Sequence, residues 1–224
     1  MLEQNVAQAH DRYCVICDNW VPGFEYGDKS NDRKFCPNCR SKGRYRLVWL
    51  YLLGELEIDL RQIRMLHLAP EYSLKAKLSD LNKLVYITAD LMVTDVNVRL
   101  DLTRTGIMDR AFDLILCNHV LEHIEDHGKA IGELYRMLHP DGELLLTVST
   151  NKGPVTEEYY LTQGRSLSNF TPEDHYREYG FDLVDKLHGT GFAVEVVWYM
   201  RQFSPQDVRR LGLKNEVFFV CHRG

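Results

Sequence analysis

The chain has 224 residues, 45% of them hydrophobic and 26% charged, with a formal net charge of −5. That composition suits one medium soluble domain with a small appendage, and it excludes a chain built as a whole to coat nucleic acid. No apolar run reaches membrane-spanning length and no signal-peptide pattern opens the chain, so no membrane is expected among its partners.

After a polar lead-in come two Cys-x-x-Cys knuckles, Cys14-Val15-Ile16-Cys17 and Cys36-Pro37-Asn38-Cys39. Their spacing lets four thiolates converge tetrahedrally on one ion, and soft sulfur ligands select zinc. With all four positions filled by protein the site is closed, so it folds a segment and does no chemistry itself. The alternatives are two disulfides or a redox dithiol, but a redox Cys-x-x-Cys usually opens a helix in a βαβ unit, and this one does not. Residues 13–43 carry neither helical nor strand periodicity, which a metal-held ribbon explains. Arg33, Lys34, Arg40, Lys42, Arg44 and Arg46 cluster around the second knuckle with Phe35 and Tyr45 between them. They read as an RNA platform, or as a solvated face and packing arginines diluted by Asp28 and Asp32; the acidic chain favours the second.

From Arg44 the pattern changes. Arg44 to Leu53 is a helix candidate, apolar nearly all round, with Gly54 as its stop. Ile63–Leu68 reads as a strand, Ser73–Leu81 as a helix capped by Ser73, Leu84–Thr88 as a second strand and Val96–Leu100 as a third. Phe112–Cys117 is a buried strand, followed by a helix over His127–Leu138, a turn at His139-Pro140-Asp141-Gly142 and a strand over Glu143–Val148. A polar connection runs from Ser149 to Thr171, then a helix at Phe181–His188 and strands at Ala193–Tyr199 and Glu216–Cys221. This alternation predicts an α/β fold, a mostly parallel sheet with helices on both faces. The expected division is a zinc ribbon over 1–43 and a sheet domain over 44–224. Cys117 and Cys221 lie in apolar runs, as buried unpaired thiols do, and together with the thiolate ligands they point to a reducing cytoplasm.

In such sheets ligands bind beyond the carboxyl ends of the strands. Those ends read His67-Leu68-Ala69-Pro70-Glu71, Ala89-Asp90-Leu91, Asp101-Leu102-Thr103 and Asn118-His119-Val120-Leu121-Glu122-His123. A carboxylate after the second strand suits a ribose diol, and one after the third suits an exocyclic amine, so the set suggests a nucleoside lying across the sheet. Each acidic residue taken singly reads as an ordinary solvated loop residue.

The block from Phe112 to Ile124, with Glu133-Leu134-Tyr135-Arg136-Met137-Leu138-His139-Pro140-Asp141-Gly142-Glu143-Leu144, resembles the core of class I S-adenosylmethionine-dependent methyltransferases. The resemblance covers roughly residues 60–200 and implies a seven-stranded Rossmann-like sheet whose last strand is antiparallel. It implies that Asp90 holds the ribose, Asp101 and Leu102 the adenine region, and Asn118 and His119 the methionine part or the transfer site, with Ala69 and Leu91 also in the cofactor site. The family usually carries a glycine-rich loop after its first strand; here Ala69-Pro70-Glu71 stands instead, with Glu71 in place to meet the cofactor's ammonium. Cys36–Trp49, Ala69-Pro70-Glu71 and Glu173-Asp174-His175-Tyr176-Arg177-Glu178-Tyr179-Gly180 together resemble a subgroup in which the missing glycines are the rule.

The Glu173–Gly180 motif follows a long loop, the kind of segment that serves as a lid or substrate wall. His175 is a candidate general base, Arg177 a fork for a substrate carboxylate or phosphate, and Tyr179 a group to orient either. A capped helix start at Thr171 and Pro172 accounts for the first residues of the motif without any chemistry. His119 and His123 fall four apart beside Glu122, but no further metal ligand is evident. The sequence therefore reads as a methyltransferase acting on a small polar acceptor, with a structural zinc ribbon. The rivals are an RNA methyltransferase reading through the ribbon and a methyltransferase-like scaffold without catalysis.

Overall fold

The computed structural model describes residues 11–26, 34–159 and 175–224. By its contacts the chain forms two compact units. One comprises Met1–Gln62, Glu71–Leu84 and Trp198–Glu216; the other comprises Ile63–Pro70, Val85–Val197 and Val217–Gly224.

In the first unit the cysteine segment is two small antiparallel hairpins. Strand β1 (Arg12–Cys14) pairs with β2 (Asn19–Val21), and β3 (Glu25–Tyr26) with β4 (Lys34–Phe35). Each knuckle is followed by a residue in the left-handed region, Asp18 (φ 54°) and Arg40 (φ 60°), which folds the chain back sharply. Helix α1 (Gly43–Gly54) is buried nearly all round, as its composition demands. Helix α2 (Tyr72–Ser79) starts from Glu71; Ser73 lies buried inside the first turn and does not cap it. Helix α5 (Pro205–Leu211) has no counterpart in the sequence-based reading. It is nonetheless well signalled: Ser204 Oγ accepts from Asp207 N–H (3.1 Å), Pro205 opens the helix, and Gly212 ends it at φ 58°.

The second unit is a seven-stranded sheet. In chain order its strands are β5 (Ile63–Leu68), β6 (Leu84–Asp90), β7 (Val98–Arg99), β8 (Phe112–Asn118), β9 (Leu138–Thr147), β12 (Phe192–Val197) and β13 (Phe218–Arg223). Their spatial order is β12-β13-β9-β8-β5-β6-β7. The pairs β5/β8, β8/β9 and β6/β7 are parallel, and the last strand, β13, runs antiparallel to both β9 and β12. This is the expected Rossmann-like sheet. Central positions such as Leu66, Ile115, Leu116, Leu144, Leu145 and Leu146 are fully buried, which is why these strands read as unbroken apolar runs. The His139–Gly142 turn does not separate helix from strand: β9 begins at Leu138, and the turn is looped out between the Phe112–Leu138 and Leu114–Glu143 pairs.

Helix α3 (His127–Met137) is capped by Asp126, which accepts from Lys129 N–H (3.1 Å), and buries Ala130, Ile131, Leu134 and Met137 at helical spacing. Helix α4 (Leu183–Thr190) ends on Gly191 at φ 109°. Within the expected polar connection, β10 (Glu157–Glu158) pairs antiparallel with β11 (Arg177–Glu178). No helix among the described residues is long and apolar enough to cross a membrane.

Candidate active site

In the second unit, β5, β6 and β8 adjoin in the sheet and end at its carboxyl edge, and two of the three exits bend through strained backbone. Ala69 (φ 47°) follows β5 and His119 (φ 52°) follows β8. The left-handed turn that a glycine makes freely is made here by an alanine, at a cost of roughly 1 kcal/mol. Ala69 N–H is pinned to Ala89 O (2.8 Å) and His119 N–H to Thr147 O (2.9 Å). The chain therefore keeps a sharp turn after its first parallel strand without a glycine.

Asp90 closes β6. Its Oδ1 accepts the N–H groups of Met92 (2.6 Å) and Val93 (2.7 Å), while Oδ2 has no partner among the described residues. A half-buried carboxylate held rigid through one oxygen, with the other open, fits a ribose diol. The next residue, Leu91, is exposed. Asp101 is exposed and turns its Oδ1 onto Thr103 N–H and Oγ (both 2.8 Å), while Leu102 beside it is buried. Asn118 is buried at the end of β8, its Oδ1 accepting from Thr147 Oγ (3.2 Å). Glu71 belongs to the first unit, where it is the residue from which α2 starts.

From the sequence Glu122 is a candidate only as a metal ligand beside His119 and His123. It lies in a short 3-10 turn, Leu121–His123, and is fully buried. Its Oε1 meets His119 Nδ1 (3.0 Å) and accepts Ser149 N–H (2.8 Å), and its main-chain carbonyl accepts Tyr176 N–H (2.8 Å). Burial pushes its carboxyl pKa up, but the hydrogen bond and charge of His119 and the N–H groups of Glu122 and Ser149 outweigh that and hold it below the usual range. Three chain segments beyond the sheet edge thus meet at this residue, His119 and Ser149 at its carboxylate and Tyr176 at its main-chain carbonyl. Only the i, i+3 spacing to His119 hinted at it.

The late motif laces that loop down. Read from sequence, Arg177 is a fork for substrate; in the structure it is buried and its donors go to protein. Nε donates to Glu158 Oε2 (2.9 Å), Nη1 to the Ile124 carbonyl and Nη2 to the Glu125 carbonyl (2.9 Å). Tyr179 is fully buried; its hydroxyl meets His127 Nδ1 (2.7 Å) and donates to the Leu121 carbonyl (3.5 Å). Burial pushes its phenol pKa far up. Gly180 allows the segment to press against residue 155, where a Cβ would sit 2.3 Å from Val155 C. Of the three expected catalytic residues, His175 has its ring edge-on to His123, with centroids 4.7 Å apart. Thr171, Pro172, Glu173 and Asp174 lie outside the described residues.

In the first unit the four cysteines converge: their Sγ atoms all lie within 4.8 Å of one another, with Cys14–Cys39 at 3.6 Å and Cys17–Cys36 at 3.8 Å. Four sulfurs around a tetrahedral zinc at about 2.3 Å stand about 3.8 Å apart, so the donor set fits that ion. Ser41 Oγ lies 3.3 Å from Cys14 Sγ and 3.2 Å from Cys39 Sγ, a second shell of the kind metal sites use. Beneath it Arg46 is fully buried, donating to Ser41 O (2.6 Å), Leu211 O (2.8 Å) and Gly212 O (2.6 Å) and stacking 3.9 Å from the Phe24 ring centroid. Among the other basic residues Arg40 stacks on Phe35 at 4.8 Å, and Lys42 lies 5.6 Å from the Tyr45 centroid. Arg33, Asp28 and Asp32 lie outside the described residues.

Residues 64–146 match the family described as a methyltransferase domain. That match falls on the β5–β9 core of the sheet, and the strand order is that of a Rossmann-like fold. Among solved structures the chain resembles the 1,6-didemethyltoxoflavin-N1-methyltransferase of Burkholderia thailandensis, solved with 1,6-didemethyltoxoflavin and S-adenosylhomocysteine bound. The identity is 16%, the coverage 80% of this chain and 77% of that one, and the TM-score 0.54. It also resembles the CurJ carbon methyltransferase (16% identity, 80% and 54% coverage, TM-score 0.53) and the [4+2]-cyclase SpnF (14%, 88% and 88%, 0.50). Neighbours named for nitrogen, carbon and cyclisation show that the fold leaves the reaction open. No curated protein matches the chain in sequence.

Proposed function

We propose that this protein methylates oxygen or nitrogen of a small polar acceptor, and that zinc holds its cysteine segment as a closed structural site. The observation that carries the reading is the row of exits along adjacent strands: the left-handed turn at Ala69, the half-open carboxylate of Asp90, and Asn118 with His119. Bound S-adenosylmethionine supplies an electrophilic methyl group on a sulfonium. Asp90 would hold its ribose, with Asp101 and Leu102 toward the adenine and Asn118 toward the methionine part. Catalysis then rests on aligning the acceptor with the methyl carbon and on a histidine beyond β8 taking the acceptor's proton, His175 or His119. Four converging cysteines, read as thiolate ligands, suit a reducing cytoplasm.

Calorimetric titration of S-adenosylmethionine into zinc-loaded protein tests the reading. Micromolar binding, weakened at least about tenfold in Asp90→Ala, a loss of about 1.4 kcal/mol, is the expected result. Absence of binding in the unaltered protein would leave the sheet as a scaffold.

A further inference from the structure

The histidine and the carboxylate beyond β8 form a pair that the methyltransferase reading does not by itself require. His119 lies in a left-handed conformation that a non-glycine residue adopts only when its surroundings enforce it. Two bonds enforce it here: His119 N–H to Thr147 O (2.9 Å) and the ring Nδ1 to Glu122 Oε1 (3.0 Å). The ring is mostly enclosed, with 17% of the side chain exposed, while Glu122 is wholly enclosed. Glu122 Oε2 is buried with no hydrogen-bond partner among the described residues. Leaving a carboxylate oxygen dry is costly, and a fold that accepts the cost has a use for the charge.

The chemistry of the pair follows from the tautomer. A carboxylate accepts only, so the ring nitrogen facing it must carry the proton, and the basic lone pair is left on Nε2. The same carboxylate then stabilises the imidazolium that forms when Nε2 takes a proton, and it prevents the ring from turning. His175 is held differently, by ring contact with His123. We propose that His119 is the base that receives the acceptor's proton and that Glu122 is the positioning residue that fixes its tautomer. The proposal rests on the methyltransferase reading and narrows it to one histidine and to acceptors with an O–H or N–H to lose. In the transfer, a lone pair of the acceptor's oxygen or nitrogen forms the bond to the methyl carbon. The carbon–sulfur bond breaks with its pair kept by sulfur, and the O–H or N–H proton passes to Nε2 while its bonding pair stays on the acceptor.

The test uses the full zinc-loaded chain with 15N-labelled histidine and S-adenosylhomocysteine as the probe, its binding measured in parallel by calorimetry. His119→Gln assigns the ring signals. The expected result is a His119 ring protonated at Nδ1, an Nε2 signal that shifts when the probe binds, and loss of the fixed tautomer in Glu122→Gln. Should Glu122→Gln fail to fold, the tautomer and the shift in the unaltered protein decide alone. A ring protonated at Nε2, or a probe that binds and moves His175 but not His119, overturns the assignment while leaving the methyltransferase reading in place. A probe that does not bind overturns both.

Discussion

Among the described residues each unit of this protein has one buried arginine, and the two are satisfied by different means. Arg46, beneath the cysteine cluster, gives its donors to Ser41, Leu211 and Gly212 and pairs with no carboxylate among the described residues. Arg177, beyond the sheet, also clamps loop carbonyls, at Ile124 and Glu125, but it pairs with Glu158 as well. A buried cation needs a counter-charge. For Arg177 that charge is a carboxylate; for Arg46 it would be the cysteine sulfurs as thiolates. Burial pushes the Arg46 pKa down, and Cys14, Cys36 and Cys39 as thiolates push it back up. Four thiolates around a divalent ion leave two net negative charges, so a buried arginine beside the cluster is what a zinc site would call for and what a pair of disulfides would not. The difference between the two arginines is thus an argument about the redox and metal state of the cysteines.

The sharpest way to break the comparison is to take the metal away. Protein prepared under reducing conditions should carry one zinc per chain. A chelator should then abolish hydrogen-exchange protection over Arg12–Cys14 and Asn19–Val21, because apparent binding energies of such sites reach about 10–16 kcal/mol. Metal-free protein with these strands still protected would defeat the zinc reading. Next in size are the arginines themselves. Arg46→Met takes the arginine donor from the Leu211 and Gly212 carbonyls, while Ser41 O keeps Cys36 N–H (3.0 Å), and should cost about 3 kcal/mol in urea unfolding of the zinc-loaded protein. Arg46→Lys should recover only part of that, since an ammonium cannot span all three acceptors. Arg177→Met should cost less, because the Glu158 side chain it abandons is 51% exposed and water can take the vacant place. Equal losses would mean that the counter-charge does not distinguish the sites.

Much of this was legible in the residues, for physical reasons that can be named. The central strands are buried on both faces and so read as apolar runs, and the cysteine spacing is a geometric constraint that survives any sequence context. The hairpins at Arg12–Val21 escaped because strands of three residues are too short to display a period. Helix α5 was legible, since Ser204-Pro205 with Asp207 is a strong start signal. The site was harder. The place of Asp90 at the end of β6 follows from topology alone, but Glu122 resembles any polar residue after a strand until the fold buries it. Arg177 and Tyr179 carry catalytic residue types, yet their partners, the carbonyls of 121–125 and His127, lie about fifty residues away in sequence and cannot be foreseen from spacing.

A third arginine gives the comparison its lower bound. Arg136, near the C-terminus of α3, is partly exposed and pairs with Glu133 at 2.8 Å and Asp109 at 2.6 Å. The Arg136 hydrogen bond, opposed by partial burial and helped by Thr105, brings the Glu133 carboxyl pKa from the ordinary 4.5 to about 2. A carboxylate whose folded pKa is depressed stabilises the fold above its unfolded pKa, and that contribution fades as pH falls from about 4.5 toward 2. Glu133→Gln should therefore flatten the fall of Tm across that window. At neutral pH it should cost under about 1 kcal/mol, because water screens a pair so near the surface. A loss at neutral pH as large as that of Arg46→Met would mean that the exposed pair matters as much as the buried cation, and that burial is not what sets the three arginines apart.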